Sequence, residues 1–220
     1  MKTMKEKMTS SSETLPSDFV YIHEIIPDIQ VSLRYATEEN FVGKIVDGYY
    51  SNVSIMTKAA ALSLKYAQEL AKENGYELVI YDSYRPQKSV NHFVKWSEDV
   101  NDPQTKKEHY YPRVDKANSF NLGYIARKSG HTRGSTIDLT IIPIGKLDMG
   151  SSFDLFDEAS FVNSTLVNEN HQQMRKIFKN IMEQAGFVGY RKEWWHFTLK
   201  NEPFPNTYFD FDVKSTYQSS

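Results

Sequence analysis

The sequence predicts a single α+β domain in which helices flank a central, mostly antiparallel sheet. Two amphipathic helices are expected near residues 57–75 and 169–185, and short apolar runs indicate several strands that do not alternate regularly with them. This order of elements is typical of the α+β class. We therefore expect residues 18–220 to form one domain and the polar residues 1–17 to form a disordered lead-in.

Residue types that favour helix ends bound the first helix. Thr57 is a suitable N-cap and Gly75 a suitable residue just past the C-terminus. Leu62, Tyr66 and Leu70 recur at a spacing of four, which indicates an amphipathic helix with these side chains on its apolar face.

The remaining elements follow from apolar runs and their breakers. Residues 77–81 are predicted to form a buried strand that ends at Asp82. Pro86 keeps the strand from continuing, because proline cannot take part in a central ladder. A helix is expected from Gln87, followed by a polar loop over 97–130. Loops of this length in a compact domain are usually functional. Further strands are predicted at 137–142, 187–190 and 194–199, with a turn at 143–150. The second long helix presents one apolar face, formed by Met174, Ile177, Phe178, Ile181, Met182 and Ala185. The aromatic tail over 201–213 is expected to pack on the domain.

Composition excludes several classes of protein. The 220 residues include no cysteine, and 26 basic against 28 acidic side chains give a net charge of −2. Any metal site must therefore use histidine and carboxylate, and the dispersed basic residues offer no footprint for nucleic acid. Neither a signal-peptide core nor a membrane span is visible. We expect a soluble, cytoplasmic protein that binds neither nucleic acid nor membrane, and the sequence gives no oligomeric state.

One candidate metal-binding segment is SGHTRGSTID, which contains His131 and Asp138. Asp138 lies between Ile137 and Leu139, so its carboxylate points away from its apolar neighbours and needs a cation, a hydrogen-bond partner or a metal. Residues seven apart on one strand face opposite sides. His131 and Asp138 can therefore meet only if a turn at Gly134 reorients the chain.

A second candidate segment is EWWH, in which Glu193 and His196 flank two tryptophans. The aromatic rings can exclude water and raise the proton affinity of Glu193, as a general base in zinc hydrolysis requires. His131, Asp138 and His196 together would leave a fourth zinc position open, which is the catalytic pattern. Each segment alone is also explained by an ordinary surface or hydrogen-bonded histidine.

A third segment, YDSYRP, places Asp82 and Arg85 at the end of a buried strand. A plain salt bridge explains this pair equally well on local evidence. If Arg85 faces the metal, its permanently charged guanidinium could stabilise an oxyanion.

In their order along the chain, YDSYRP, SGHTRGSTID and EWWHFTL resemble the D-alanyl-D-alanine dipeptidases of the vancomycin-resistance type, zinc peptidases related to D,D-carboxypeptidases. The weaker segments LRYATEENFVGKIVDGYY, MGSSFDLFDE and EPFPNTYFDFDVK extend the resemblance over residues 20–214. It implies one Zn²⁺ on His131, Asp138 and His196, with Glu193 as general base and acid and Arg85 holding the oxyanion. It also implies a small dipeptide substrate. Its ammonium would lie against Asp154 in a pocket with Tyr35 and Ser129, while Asp82 supports Arg85.

The sequence departs from this family at two positions and leaves two other functions open. Thr136 stands where the family usually has alanine, and Gly130 where serine is common, which concerns pocket size rather than the metal ligands. One alternative is a zinc D,D- or L,D-carboxypeptidase or endopeptidase that trims peptidoglycan stem peptides. The other is a zinc-stabilised binding module without catalysis, against which the presence of Glu193 and Arg85 argues. His109 in the long loop could line the site.

Overall fold

The computed structural model describes residues 14–143 and 148–215. Most of the predicted lead-in and the middle of the turn predicted at 143–150 lie outside these residues. The strands are β1 Phe19–Tyr21, β2 Gln30–Val31, β3 Ile55–Thr57, β4 Tyr76–Asp82, β5 Thr136–Pro143, β6 Phe187–Gly189 and β7 His196–Leu199. The helices are α1 Ile22–Ile25, α2 Lys58–Glu73, α3 Gln87–Glu98, α4 Lys107–Tyr110 and α5 Glu169–Gln184. Short 3-10 turns cover Arg34–Ala36, Lys116–Asn118, Gly130–Arg133 and Glu158–Ser160.

A five-stranded sheet in the order β2-β4-β5-β7-β6 forms the centre of the fold. The β2–β4 pair is parallel and the other three pairs are antiparallel. β1 and β3 form a separate antiparallel pair. The predicted α+β class with a mostly antiparallel sheet is confirmed.

Helix α2 forms where it was predicted, but its buried face differs from the predicted one. Thr57 caps the helix, since its Oγ1 accepts a hydrogen bond from the Ala60 N–H at 3.3 Å. Leu62 and Tyr66 are 52% and 49% exposed. The buried face consists of Ala60, Ala61, Leu64, Ala67, Gln68 and Ala71. Small side chains let the helix approach β4 and α5 closely, so the wider Leu62 and Tyr66 face solvent.

The last strand starts later than predicted. β7 begins at His196 rather than at Trp194, because the Trp194 N–H leaves the sheet and donates to the Ser160 carbonyl at 3.0 Å. Trp194 and Trp195 are both buried in the turn that precedes the strand.

The aromatic tail packs on the domain as predicted. Phe211 stacks on Tyr84 with ring centroids 4.0 Å apart, and Phe209 lies edge-on to Phe19 at 4.9 Å. The Phe209 N–H donates to the Thr132 carbonyl at 3.0 Å, so the tail also braces the 3-10 turn 130–133. Among the described residues, no helix has the length and apolar character needed to cross a bilayer.

Candidate active site

Three polar residues stand side by side across the middle of the sheet. In the registers of β4–β5 and β5–β7, Asp138 pairs with Asp82 on one side and with His196 on the other. The β4 register shifts between Ile80 and Asp82, and an irregularity of this kind re-aims the side chains next to it. Direct cross-strand partners have their side chains on the same face of the sheet. The fold itself therefore brings Asp138 and His196 together.

A tight turn brings His131 to the same place. Ser129 caps the 3-10 turn Gly130–Arg133, and Gly134 follows in the left-handed conformation with φ +85°. A Cβ at Gly134 would lie 2.3 Å from a ring carbon of Phe19, so both backbone and space require glycine there. The predicted reorientation at Gly134 is what allows His131 and Asp138 to meet.

His131, Asp138 and His196 form a compact cluster. Nε2 of His131 lies 3.1 Å from Asp138 Oδ2, and Nδ1 of His196 lies 3.0 Å from Asp138 Oδ1. The two imidazole nitrogens are 3.3 Å apart, and one ligand atom from each residue lies within 4.8 Å of the others. His131 and Asp138 are buried, and His196 is partly buried.

The chemistry of the donors in this cluster fits a divalent metal ion. Nδ1 of His131 lies 2.7 Å from the Ser83 carbonyl, which can only accept, so Nδ1 carries the proton and Nε2 presents a lone pair to the cluster. Burial lowers the pKa of His131, which favours the neutral imidazole that metals bind. Asp138 Oδ1 is buried, and its contact with His196 Nδ1 at 3.0 Å lacks the alignment of a regular hydrogen bond. Burial alone would raise the pKa of Asp138, but His131 and His196 hold it well below its usual value, so the carboxylate is charged.

Glu193 lies beside the cluster in the turn that precedes β7. Its Oε2 is 3.5 Å from His196 Nδ1, and its side chain is 17% exposed. Burial raises the pKa of Glu193 to about 7. A carboxylate with that pKa can both take and return a proton near neutral pH, as a general base and acid must.

Arg85 reaches the cluster from the end of β4. Its Nε donates to Asp82 Oδ2 at 2.8 Å, and its Nη2 lies 3.4 Å from Asp138 Oδ2. The Tyr49 hydroxyl donates to the other Asp82 oxygen at 2.5 Å. Asp82 is fully buried and holds Arg85 from behind, so this salt bridge also orients the guanidinium toward the cluster.

Asp154 lies in the segment that follows the predicted turn. Its carboxylate is buried and accepts a hydrogen bond from the Tyr35 hydroxyl at 2.6 Å. Its φ of +60° is a left-handed conformation that costs a non-glycine residue about 1–2 kcal/mol. Burial, followed by the charge of Asp138, raises the pKa of Asp154 well above its usual value. A cation placed beside Asp154 would remove this penalty.

One cavity of about 320 Å³ unites these groups. Eight of the nine residues singled out in the sequence line it, namely Tyr35, Arg85, Ser129, His131, Asp138, Asp154, Glu193 and His196. Asp82 is the ninth and lies behind the wall. His109 does not line this cavity but a neighbouring one.

Part of the cavity wall was not predicted from the sequence. Tyr124 and Ile125 come from the long polar loop, while Phe156 and Tyr190 flank the acidic residues. Tyr124 stacks on Phe156 with ring centroids 5.0 Å apart. Aromatic residues within an otherwise polar loop were the available signal.

The two departures from the family pattern touch each other. A Cβ at Gly130 would lie 2.7 Å from Thr136 Oγ1, closer than a Cβ approaches an oxygen that is not covalently bonded to it. Thr136 Oγ1 in turn lies 2.9 Å from the Thr198 hydroxyl. A threonine at 136 thus explains the glycine at 130, and neither side chain is a metal ligand.

A His–Asp–His cluster with a glutamate and an arginine beside it has the residue types of a metal-dependent hydrolase site. Comparison with known proteins also indicates a peptidase. The profile of a peptidase family described as D-ala-D-ala dipeptidase matches residues 16–214. The chain belongs to this family and is a metallopeptidase.

Relatives of known function match nearly the whole chain. A D-alanyl-D-alanine dipeptidase of Enterococcus faecium is 44% identical over 199 residues, which cover 89% of this chain and 98% of that protein. Another, from Streptomyces coelicolor, is 42% identical over 202 residues, covering 90% and 100%. A solved structure of the LD-carboxypeptidase LdcB is similar with a TM-score of 0.45 and 18% identity, covering 87% of this chain and 72% of that one.

Proposed function

We propose that this protein hydrolyses free D-alanyl-D-alanine to two D-alanines with one zinc ion. The observation that carries the proposal is a single cavity that holds both the His131–Asp138–His196 cluster and the buried Asp154–Tyr35 pair. The first supplies hydrolytic chemistry and the second a partner for a substrate ammonium. The two D-alanyl-D-alanine dipeptidases that match nearly the full chain support this substrate.

Zinc fits the donors that the cluster offers. Two imidazole nitrogens and a carboxylate are common zinc ligands, and three protein ligands are typical of catalytic sites that keep one position open. When bound, the ion supplies Lewis acidity for the carbonyl and lowers the pKa of a coordinated water. Nδ1–H of His131 on the Ser83 carbonyl would fix the orientation of that ring.

Glu193 moves the proton in the proposed reaction. It takes one proton from the attacking water as the water oxygen bonds to the peptide carbon. It then gives that proton to the leaving nitrogen as the C–N bond breaks, which yields an amine and a carboxylic acid. The remaining proton of the acid passes to the amine, so the products are a carboxylate and an ammonium. A pKa of about 7 suits both transfers.

Arg85 stabilises the charge that develops on the carbonyl oxygen. The guanidinium is held by Asp82 and lies 4.9 Å from the ring centroid of Tyr35, so it is already oriented before substrate binds. Preoriented donors of this kind are worth about 10²–10³ in kcat.

Asp154, Tyr35 and Ser129 select the substrate. A free dipeptide carries an ammonium that can pair with the Asp154 carboxylate, whereas a stem peptide has an acylated nitrogen at that position. Leaving one charge of a buried pair without its partner costs about 2–5 kcal/mol. The pocket would therefore favour the dipeptide strongly over longer peptides.

The test compares D-alanyl-D-alanine with N-acetyl-D-alanyl-D-alanine on the zinc-loaded protein. We expect kcat/KM to favour the free dipeptide by about 100-fold, and Asp154→Asn to remove most of this preference. Equal or faster cleavage of the acetylated peptide would contradict the proposal and indicate a carboxypeptidase or endopeptidase. A protein that binds zinc but cleaves neither peptide would be a binding module.

A further inference from the structure

Arg175 on α5 is a buried cation without a carboxylate partner. It is 1% exposed, and no carboxylate of the described residues lies within salt-bridge distance of it, so Asp148 acts on its charge only from farther away. Burial lowers the pKa of Arg175 to about 10. A buried charge of this kind must be compensated by hydrogen bonds.

The guanidinium donates hydrogen bonds to both ends of one segment of the chain. Its Nε donates to the Met149 carbonyl at 2.8 Å and its Nη1 to the Phe161 carbonyl at 2.7 Å. Its Nη2 donates to Ser151 Oγ at 3.1 Å. The segment 149–161, which we call the Asp154 segment, is thus closed into a loop by one side chain.

A chain of hydrogen bonds leads from Arg175 into the loop. Ser151 Oγ accepts from Arg175 and lies 3.4 Å from Ser160 Oγ, which donates to the Leu155 carbonyl at 2.7 Å. Because Ser160 uses its proton on Leu155, Ser151 must donate to Ser160. The chain therefore ends on the residue directly after Asp154.

The same serine also ties in the turn that carries Glu193. Trp194 Nε1 donates to Ser151 Oγ at 2.9 Å, and the Trp194 N–H donates to the Ser160 carbonyl at 3.0 Å. The guanidinium carbon of Arg175 lies 5.9 Å from a Trp194 ring centroid. One buried cation is thus connected to both acid-bearing segments of the cavity.

We propose that Arg175 is a positioning residue that fixes Asp154, through Ser151 and Ser160, in the strained backbone conformation that selects a free substrate ammonium. Asp154 is one of two non-glycine residues with positive φ in the described ranges, so its neighbours must hold it there. The inference rests on the proposed function for the role of Asp154. It assigns to an arginine outside the cavity the control of substrate selection.

The first test is the kcat/KM ratio of D-alanyl-D-alanine to its N-acetyl derivative in Arg175→Lys and Ser151→Ala. Both substrates are measured on one sample, so the ratio does not change if part of the protein is unfolded. We expect Arg175→Lys to lower this ratio at least tenfold and Ser151→Ala to lower it about threefold. The main cause should be a higher KM for the free dipeptide. In an Asp154→Asn background, Arg175→Lys should change the ratio no further.

Arg113→Lys is the matched control. Arg113 pairs with Asp157 of the same segment from the surface, and its side chain is 66% exposed. The ratio should stay within twofold of wild type. A ratio within twofold of wild type in both Arg175→Lys and Ser151→Ala would overturn the proposal.

Amide hydrogen exchange of the zinc-loaded protein supplies a readout that needs no activity. We expect Arg175→Lys, but not Arg113→Lys, to speed exchange within 149–161 by at least tenfold. Unchanged exchange would overturn the proposal, as would faster exchange with an unchanged substrate ratio. If the wild type hydrolyses no dipeptide, the proposed function fails, and the exchange data still decide whether Arg175 holds the segment.

Discussion

Asp138 is the residue on which the candidate site converges. It contacts both histidines of the cluster and Arg85, and it is the cross-strand neighbour of Asp82. An apolar strand could bury such a carboxylate as part of an ordinary ion pair. His131 Nε2 turns a lone pair toward Asp138 Oδ2 at 3.1 Å, so two acceptors face each other, and a shared metal ion explains this better than a salt bridge alone.

Substitution of Glu193 should affect catalysis without affecting metal binding. Glu193→Gln keeps the shape of the side chain but removes its ability to take a proton, so we expect kcat to fall by about 10³ while one zinc per chain is retained. Metal analysis and steady-state kinetics measure the two effects. Glu169→Gln, at the exposed start of α5, is the control and should leave both unchanged. Normal turnover in Glu193→Gln would refute the role given to Glu193.

At the scale of elements, the turn at Gly134 determines whether the site can form. It is the one point where sequence spacing alone showed that two predicted ligands could meet only through a change of direction. The structure places there a left-handed glycine packed against the ring of Phe19. A local backbone requirement thus connects the 3-10 turn to β5.

We expect Gly134→Ala to lower the free energy of unfolding by more than 3 kcal/mol in urea titrations, since left-handed strain of about 1–2 kcal/mol adds to overpacking. Gly75→Ala is the matched control, because Gly75 has φ +79° and no atom within 4 Å of an added Cβ. Gly75→Ala should lower the free energy of unfolding only by the left-handed backbone strain of about 1–2 kcal/mol. Equal losses in the two variants would show that the contact with Phe19 does not matter.

The elements also show where sequence reasoning stops. Hydrophobic periodicity predicted α2 correctly but placed Leu62 and Tyr66 on its buried face. The pattern reflects hydrophobicity alone and not the close packing that alanines permit. Arg175 was missed on α5 for a related reason. An arginine in a helix is exposed by default, and only the three-dimensional path of the segment 149–161 supplies its partners.

For the whole molecule, the sequence predicted the cluster better than the cavity around it. Histidine and carboxylate are characteristic of metal sites, and the resemblance to a known family selected the three residues that the structure brings together. Tyr124 and Phe156 belong to segments with no regular pattern, and their pairing depends on how the long loop folds over the sheet. The aromatic residues of the loop marked candidates for the wall, but their pairing could not be predicted from one sequence.

Zinc should stabilise the whole fold, because the cluster links β5, β7 and the turn 130–133. At free zinc about 100 times its Kd, binding adds about 2.7 kcal/mol, which for a chain of this length raises Tm by about 5–10 °C. Thermal unfolding with zinc and with a chelator measures the shift. Asp138→Asn should abolish it, and an unchanged shift in that variant would place the zinc elsewhere.

The central claim is that His131, Asp138 and His196 together hold one catalytic zinc ion. Anomalous X-ray scattering at the zinc absorption edge, from crystals of the zinc-loaded protein, tests it most directly. We expect one strong peak per chain, within about 2.0–2.2 Å of His131 Nε2, His196 Nδ1 and an Asp138 oxygen. A peak bound by other residues, or a structure in which these three side chains hold no zinc, would contradict it.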